Sequence, residues 1–369
     1  NFNLSGVLGY NVVLNEYLAV PKIVELGERV LPSAFMPPLY IFFILSLKFL
    51  LNDYISIANL VIWSQLFLNV ISIFLFYKIL EILEFGKNAM LISTFIFAFF
   101  PLNIYASLQI SSITLQIFLL SLFFISLLKA EKNNSFLNLV LFSISAGFLI
   151  LTRGEFFIFY ILTIFYFFIF LKFKIKLFIY SIIISVIVIS PYLKRNYENF
   201  DTLVLTKSLG YNLLKGNNPS FKVEGDTSFV NEFSKKNLKI KTENNYEIIL
   251  DNFYKKEAIK IIKAEPIDYL KFYFVKLFSF ILFDLNSTYP NYYNFIHLIP
   301  KIIVSLGALA GAIVSMKYKG FFQFLSIFYL MNIFLFSVFF ILPRYSLILL
   351  PIQLILCIVF INYLRKFIN

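Results

Sequence analysis

Three short motifs place charged side chains directly beside long apolar runs, where an ionisable group is costly unless it is paired or serves a function. They are Leu151-Thr152-Arg153-Gly154-Glu155, Lys194-Arg195-Asn196-Tyr197 and Pro343-Arg344-Tyr345. A guanidinium in such a place suits a phosphate or a carboxylate, because its planar fork matches two oxygens at once. The chemistry that these motifs offer is therefore anion binding.

Each motif also has a simpler structural interpretation. In the first, Arg153 pairs locally with Glu155 and closes a tight helical hairpin. The second is the solvated end of an apolar helix, and the third anchors a helix end at an interface through Tyr345. Both interpretations stay open for any one motif, but three basic motifs on one face favour a shared anion site.

Candidates for acid–base and metal chemistry are few. Among the carboxylates near the start of the chain, Glu16 is the general-base candidate, ahead of Glu25 and Glu28. Cys357 is the only cysteine and His297 the only histidine, so neither a disulfide nor a cysteine- or histidine-rich metal site can form within the chain. The sequence predicts no metal site and no cofactor.

The composition is that of a membrane protein. Hydrophobic residues make up 60% of the 369 residues and charged residues only 14%, whereas a soluble domain carries about a quarter charged residues. Apolar runs of about 20 residues recur, long enough to cross a hydrocarbon core of ~30 Å. The lysines and arginines behind the net charge of +12 cluster between these runs, which indicates membrane orientation rather than nucleic-acid binding.

Nine apolar runs are predicted to be transmembrane helices. They lie at residues 56–83, 89–105, 109–129, 136–151, 155–171, 177–191, 298–315, 320–341 and 345–363. The connections after alternate runs, and the tail, carry Lys87, Lys129, Lys132, Lys172, Lys174, Lys176, Lys317, Lys319, Arg365 and Lys366. The positive-inside rule puts these residues in the cytoplasm, so residue 1 lies outside and residue 369 inside.

The predicted fold is an all-α polytopic membrane protein with outer-face interfacial helices and a small outer polar domain. Residues 1–55 form a first outer loop with an interfacial helix, and residues 56–191 form a six-span membrane core. Residues 192–297 form the outer polar domain with a second interfacial helix, and residues 298–369 a three-span C-terminal segment. The run 267–284 is interpreted as interfacial because it carries four charged residues.

A longer set of motifs resembles a known family. Pro191-Tyr192-Leu193-Lys194-Arg195-Asn196-Tyr197 is followed by Gly210-Tyr211-Asn212-Leu213 and by Gly216-Asn217-Asn218-Pro219. In this order and spacing they resemble the bacterial membrane glycosyltransferases of the GT-C superfamily, in the protein mannosyltransferase-like and aminoarabinose transferase-like branch. Further matches extend the resemblance from about residue 13 to the end of the chain: Pro37-Pro38-Leu39-Tyr40, Leu151-Thr152-Arg153 and Arg344-Tyr345 with Pro351.

The resemblance implies transfer of a sugar from a polyprenyl-phosphate donor to a lipid, glycan or protein acceptor, on the outer face of a bacterial inner membrane. Its partners would be membrane lipids, the donor and the acceptor, and no nucleic acid. Glu16 would be the catalytic acid–base group, and the donor phosphate would be bound by Arg153, Lys194, Arg195 and Arg344. The substrate cleft would contain Tyr17, Tyr40, Glu155, Asn196, Tyr197, Asn212, Asn217, Asn218 and Tyr345.

The sequence departs from the family pattern at two chemical positions. Aligning Tyr17 and Gly27 with the family's first outer loop puts Val13 where the family has a catalytic Asp, and Ile113 stands where it often has Glu. Glu16 is the only carboxylate within four residues of Val13, and in a helical segment it would point to roughly the same face. The family also has a span before this loop, so we expect that a leading span is missing from this sequence.

Two other functions stay open on the sequence alone. A flippase or transporter of a lipid-linked glycan uses many spans and basic boundary residues equally well. A degenerate family member would bind lipid-linked sugar without transferring it, as the absence of the family's Asp at Val13 allows. Internal repeats would favour a carrier, whereas the single large outer loop with the family's motifs favours a transferase.

Overall fold

The structure is a computed structural model that describes residues 32–49, 56–133, 135–170, 175–236 and 245–368. Every regular element within these ranges is a helix, as the sequence predicts. Several residues of the sequence predictions lie outside the described residues, and what was predicted for them stays a prediction: Val13, Glu16, Tyr17, Gly27, Lys172 and Lys174.

The α-helices are, in chain order, α1 (Leu39–Lys48), α2 (Ile57–Ile82), α3 (Lys87–Phe99), α4 (Pro101–Ser107), α5 (Ile113–Asn133), α6 (Phe136–Thr152), α7 (Phe156–Phe170), α8 (Ile175–Phe200), α9 (Leu209–Gly216), α10 (Thr227–Lys236), α11 (Tyr246–Ala264), α12 (Pro266–Ile281), α13 (Phe295–Ser315), α14 (Phe321–Ser337) and α15 (Leu350–Ile368). A 3-10 helix, Pro343–Leu349, leads into α15.

Five segments of the described chain are long and apolar enough to cross a membrane. They are α2, α5, α8, α13 and the continuous stretch Pro343–Lys366. A sixth candidate is α3 with α4, which are bent by 50° where they meet. The bend falls at Phe100, whose extended backbone (φ −65°, ψ 117°) is what a residue before proline prefers, since Pro101 disfavours a helical conformation there.

Three more predicted spans form shorter apolar helices. The helices α6 and α14 have 17 residues each and α7 has 15. At 1.5 Å per residue these helices are about 22–26 Å long, less than the ~30 Å hydrocarbon core. By length and composition, the structure is thus a helical membrane protein with five to six candidate spans, and the predicted nine are not reached by this criterion.

The centre of the bundle is α5. Of its apolar window, 83% is buried within the protein, against 28% for α2 and 22% for α8. Aromatic rings fill the space around it: Phe124 lies 5.5 Å from Phe328 of α14, and Phe159 of α7 lies 4.9 Å from the same ring. The apolar surfaces of α2 and α8 that remain exposed are those that lipid would cover.

The polar region after α8 has a small core of its own. Side chains of α9, α10 and α11 form it, namely Tyr211, Leu214, Val230, Leu250, Tyr254 and Ala258. The next helix, α12, packs on the membrane bundle. There the Tyr273 hydroxyl donates a hydrogen bond to the Phe334 carbonyl of α14 at 3.1 Å. On α12, Ile267, Leu270 and Phe274 are exposed, so this helix keeps an apolar strip outside the protein core.

The side of the membrane on which each loop lies remains a prediction, and it can be measured. In a Cys357→Ser background, single cysteines at Lys87, Lys132 and Lys366 should react only from the cytoplasm, because basic loops are retained there. A cysteine at the exposed Glu232 of α10 should react only from outside. Labelling of position 232 from the cytoplasm alone would contradict both the orientation and the outer polar domain.

Candidate functional site

Arg153 lies in the short connection between α6 and α7 and is held from two directions. Its Nε and Nη2 donate to Glu155 Oε1 at 3.0 and 2.7 Å. Its guanidinium lies 4.9 Å from the centre of the Phe336 ring and 4.7 Å from that of Tyr345. The local pair is therefore present, and the two rings hold the guanidinium beside the start of the last span.

Arg344 lies in the first turn of the 3-10 helix, with its side chain exposed. Its charge acts on Tyr345, which Arg153 also contacts, and on Tyr289 and Lys215. In the described ranges no carboxylate forms an ion pair with Arg344. Arg153 and Arg344, two of the residues that the resemblance assigns to the donor phosphate, thus both act on Tyr345.

Lys215, in the last turn of α9, is a third cation at this place. Only 8% of the residue is exposed, and its Nζ lies 4.5 Å from the centre of the Phe340 ring. Burial lowers the pKa of the Lys215 ammonium and the nearby Arg344 charge lowers it further, whereas Asp226 acts in the opposite direction. Within the part of the chain that the structure describes, the Lys215 Nζ has no hydrogen-bond acceptor.

The Lys215 side chain is largely buried, and within the described residues its ammonium has no protein acceptor, so water or an anion must supply its hydrogen bonds. A second positive charge nearby adds to the cost. An anion placed between Lys215 and Arg344 would remove both penalties, because it accepts hydrogen bonds and neutralises charge. We call Lys215, Arg344, Arg153, Phe340 and Tyr345 the cation cluster. The arrangement is suited to holding a phosphate or a carboxylate at the end of the last candidate span.

The sequence did not single out Lys215, although it lies between two motifs that did stand out. A lysine in the last turn of a helix is ordinarily a favourable partner for the helix dipole, so its type and position carry no special signal. Only the packing of Phe340 over the Lys215 side chain makes it unusual.

Two glycines set the position of α9 and hence of Lys215. The N–H groups of Gly210 and Tyr211 donate to the buried Asp251 carboxylate of α11 at 2.7 and 3.3 Å. A Cβ on Gly210 would lie 1.9 Å from the Asp251 carbonyl oxygen, and one on Gly216 would lie 2.4 Å from the Phe339 carbonyl carbon. Both ends of α9 therefore approach neighbouring backbone more closely than any other residue type permits.

Asn217 and Asn218, predicted to line the substrate cleft, use their amides on the protein itself. The Asn217 Nδ2 donates to the carbonyls of Leu213 and Val338 at 2.9 and 3.0 Å. The Asn218 Nδ2 donates to the carbonyls of Lys215 and Lys222, both at 3.0 Å. The Asn217–Val338 bond fastens the end of α9 to the segment before Arg344, and the Asn218 bonds close the turn that follows α9.

Lys276 of α12 binds the same two segments, the end of α9 and the residues after α14. We call the place where they meet α12 the junction. Lys276 is fully buried, and its Nζ donates to the Gly216 carbonyl, to Asn217 Oδ1 and to the Val338 carbonyl at 3.1, 3.0 and 3.2 Å. Burial lowers the pKa of Lys276 to about 7. In contrast to Lys215, all three of its donors have acceptors, so its role is structural: it ties α9, α12 and the end of α14 together.

Tyr289, in the loop between α12 and α13, lies close enough to Arg344 to feel its charge. The Glu224 carboxylate accepts hydrogen bonds from Ser287 Oγ, from Thr288 Oγ1 at 2.6 Å and from the Thr288 N–H at 3.1 Å. Burial raises the pKa of the Tyr289 hydroxyl, and the Arg344 charge partly offsets this rise. Glu224 is thus engaged in holding the loop, just as Glu155 is engaged with Arg153.

Arg195 makes different contacts from those of the cation cluster. Its Nη1 donates to the Ser33 carbonyl at 2.9 Å and to Asn196 Oδ1 at 2.7 Å, and its guanidinium lies 5.7 Å from the Phe200 ring. Asn196 is fully buried, and its Nδ2 donates to the Val204 carbonyl at 2.6 Å. The structure therefore puts the Arg195 guanidinium on the protein backbone.

The other predicted site residues are dispersed. Lys194 and Tyr197 are exposed, and Lys194 pairs with Glu198 at 3.7 Å. Tyr40 is buried and donates its hydroxyl hydrogen to Gln65 Oε1 at 2.9 Å. The Asn212 N–H donates to the Ser208 carbonyl within the first turn of α9.

A small apolar cavity lies between α5, α6, α7 and α14, close to the hairpin of Arg153. Leu120, Ala146, Leu149, Phe156 and Phe328 line part of it. It holds no more than a water-sized sphere, so it is not a groove for a prenyl chain.

Neither a metal site in the described residues nor a known relative points to a particular chemistry. In the ranges that the structure covers, no three His, Cys, Asp or Glu side chains come together as a metal site. Protein-family models give no match to the chain, and no curated protein matches it.

Proposed function

We propose that the protein is a membrane glycosyltransferase that takes a sugar from a polyprenyl-phosphate donor. The observation that supports the proposal is the largely buried Lys215 near the charge of Arg344, neither of which forms an ion pair within the described chain. It lies at the start of the last candidate span, where the phosphate of a membrane-embedded lipid would meet water. The sequence motifs around it resemble those of the membrane glycosyltransferases described above.

The cluster suits the leaving group of such a transfer. As the bond between the sugar carbon and the phosphate oxygen breaks, negative charge grows on the phosphate, and preorganised cations stabilise it. Lys215 and Arg344 have charge available for this purpose, whereas Arg153 already neutralises Glu155. Arg153 therefore serves more to orient Tyr345 and the hairpin than to add net charge.

Deprotonation of the acceptor needs a base, and the resemblance assigns this role to Glu16 in place of the Asp that Val13 replaces. The described carboxylates around the cluster are engaged: Glu155 with Arg153, Glu224 with Ser287 and Thr288, and Asp226 with Lys222 and Ser220. This engagement favours a second candidate function, in which the protein binds or carries lipid-linked sugar without transferring it.

One experiment separates these functions. Purified protein in lipid is given a radiolabelled polyprenyl-phosphate sugar with a membrane extract as acceptor source, and both donor binding and donor consumption are measured. Consumption that falls at least tenfold in Glu16→Gln, the size expected for loss of a general base, supports the transferase. Binding without consumption supports the carrier or degenerate form, in which case Val13→Asp is the variant expected to gain activity. Absence of binding would refute both functions.

A further inference from the structure

The chain segment that leads into α1 is fastened to α8 by two hydrogen bonds. The Arg195 Nη1 donates to the Ser33 carbonyl at 2.9 Å. One turn earlier on α8, the Tyr192 hydroxyl donates to the Met36 carbonyl at 3.3 Å. Both donors lie on the same face of the helix, three residues apart, and both bind backbone.

Two further bonds fasten the residue between these points. The Ala34 N–H donates to Glu247 Oε2 of α11 at 2.7 Å, and the Ala34 carbonyl accepts from the Lys207 N–H at 2.7 Å. Ala34 is completely buried and Glu247 is 9% exposed. Both polar groups of one buried residue are thus satisfied by residues far away in the sequence.

The two charged side chains of this arrangement act on consecutive residues. A cation binds the carbonyl of Ser33 and an anion binds the N–H of Ala34, so both hydrogen bonds are charge-assisted and stronger than neutral ones. A surface turn needs no such pair of charges. We call Arg195, Tyr192 and Glu247 with their backbone partners the entry clamp.

The helix α11 links the entry clamp to the cation cluster. Glu247 and Asp251 are four residues apart on α11 and therefore on one face. Glu247 holds Ala34, while Asp251 caps the start of α9, the helix that ends with Lys215 and Gly216. The helix α11 therefore binds both the segment around Ala34 and the start of α9.

We propose that Arg195 and Glu247 are positioning residues that hold Ser33 and Ala34, and with them the segment leading into α1, against α8 and α11, and that Arg195 is not a ligand of the donor phosphate. Glu16 and Tyr17 precede this point in the sequence. The consequence for sugar transfer rests on the proposed function above, whereas the clamp itself does not depend on it.

The clamp is tested by the reactivity of a cysteine beside it. In a Cys357→Ser background, Ser33→Cys is labelled with a water-soluble maleimide. We expect slow labelling, because Ser33 is 8% exposed, and labelling about tenfold faster or more in Arg195→Gln and Glu247→Gln, since local opening becomes easier. Glu198→Gln, three residues beyond Arg195 and exposed, is the control and should not change the rate.

The labelling rates of Ser33→Cys in these variants are compared with one another. Equal labelling in Arg195→Gln and Glu198→Gln would overturn the clamp. If Arg195→Gln does not fold, Tyr192→Phe removes only one hydroxyl and should still accelerate labelling by a smaller factor. Since labelling needs no turnover, this arm holds even if the protein transfers no sugar.

Kinetics with the polyprenyl-phosphate sugar separate positioning from phosphate binding. If Arg195 positions the segment that leads into α1, Arg195→Gln lowers kcat about tenfold or more with little change in the KM of the donor. A raised donor KM in Arg195→Gln, equal to that caused by Arg344→Gln, would instead make Arg195 a phosphate ligand and overturn the proposal.

Discussion

Replacement of Lys215 by glutamine is expected to weaken the binding of a polyprenyl-phosphate sugar about 10- to 100-fold. Under the proposed function Lys215 gives the donor phosphate a charge-assisted hydrogen bond in a largely buried place, and such bonds are worth about 1.5–3 kcal/mol. The residue is 8% exposed and its ammonium has no acceptor in the described chain, so the variant relieves an unfavourable burial and should fold at least as well as the original protein.

The measurement is donor binding by titration in lipid nanodiscs, with the thermal stability of each variant recorded alongside. Lys222→Gln is the matched control, because Lys222 is close in sequence but its side chain is 57% exposed and pairs with Asp226 at 3.5 Å. The phosphate-binding role of Lys215 is refuted if both variants bind the donor equally well.

Donor affinity should depend on pH because of Lys215. Because burial and Arg344 hold the pKa of Lys215 below its ordinary value of 10.5, its positive charge is complete only below that lowered pKa. A bound anion favours the protonated form, so donor affinity should be full at low pH and fall as pH rises through the lowered pKa. A phosphodiester donor keeps its own charge over this range. In Lys215→Arg the decline should disappear, since arginine remains protonated.

Replacement of Lys276 by methionine is expected to destabilise the folded protein by about 3 kcal/mol, which corresponds to a fall in Tm of roughly 5 °C or more. Methionine has a similar length but leaves the Gly216 carbonyl, the Val338 carbonyl and Asn217 Oδ1 without this donor. The Val338 carbonyl keeps the hydrogen bond from Asn217 Nδ2, so two buried acceptors, the Gly216 carbonyl and Asn217 Oδ1, are orphaned. Relief from burying a charge offsets part of this loss, and the two orphaned acceptors outweigh it.

The destabilisation is measured by thermal unfolding in detergent, with Lys271→Met as control. Lys271 lies on the same helix but is 72% exposed and pairs with Asp268 at the surface, so its loss should change Tm little.

The pKa of Lys276 is about 7 when folded and 10.5 when unfolded. Between these values the unfolded chain binds more protons, so stability rises with pH. Part of that rise should be absent in Lys276→Met. An unchanged Tm in Lys276→Met would show that the junction does not depend on this lysine.

Several features of the site could be predicted because they are local. Arg153 and Glu155 are two residues apart at a helix end, so their ion pair follows from the spacing, as observed. Arg344 and Tyr345 are adjacent in the turn before the last apolar run. Their place at the start of a candidate span follows from the sequence too.

Other features could not be predicted because they depend on distant partners. Arg195 and Arg344 are both basic residues beside apolar runs, and nothing in their neighbours distinguishes them. The structure gives Arg195 the Ser33 carbonyl as partner, 162 residues away, and leaves Arg344 without a carboxylate in the described ranges. Which of two similar cations is available to a ligand is therefore a property of packing.

The sequence by itself determined the class of the protein and the existence of its helices, because apolar composition and run length act through the bilayer and need no knowledge of tertiary contacts. The tertiary structure decided which helices are long enough to count as spans, where the chain bends at Phe100, and which lysines are buried. Lys215 and Lys276 look alike in sequence, yet one lacks an acceptor within the described chain and the other has three. The difference arises because the free energy of a charge depends on the groups that folding places around it.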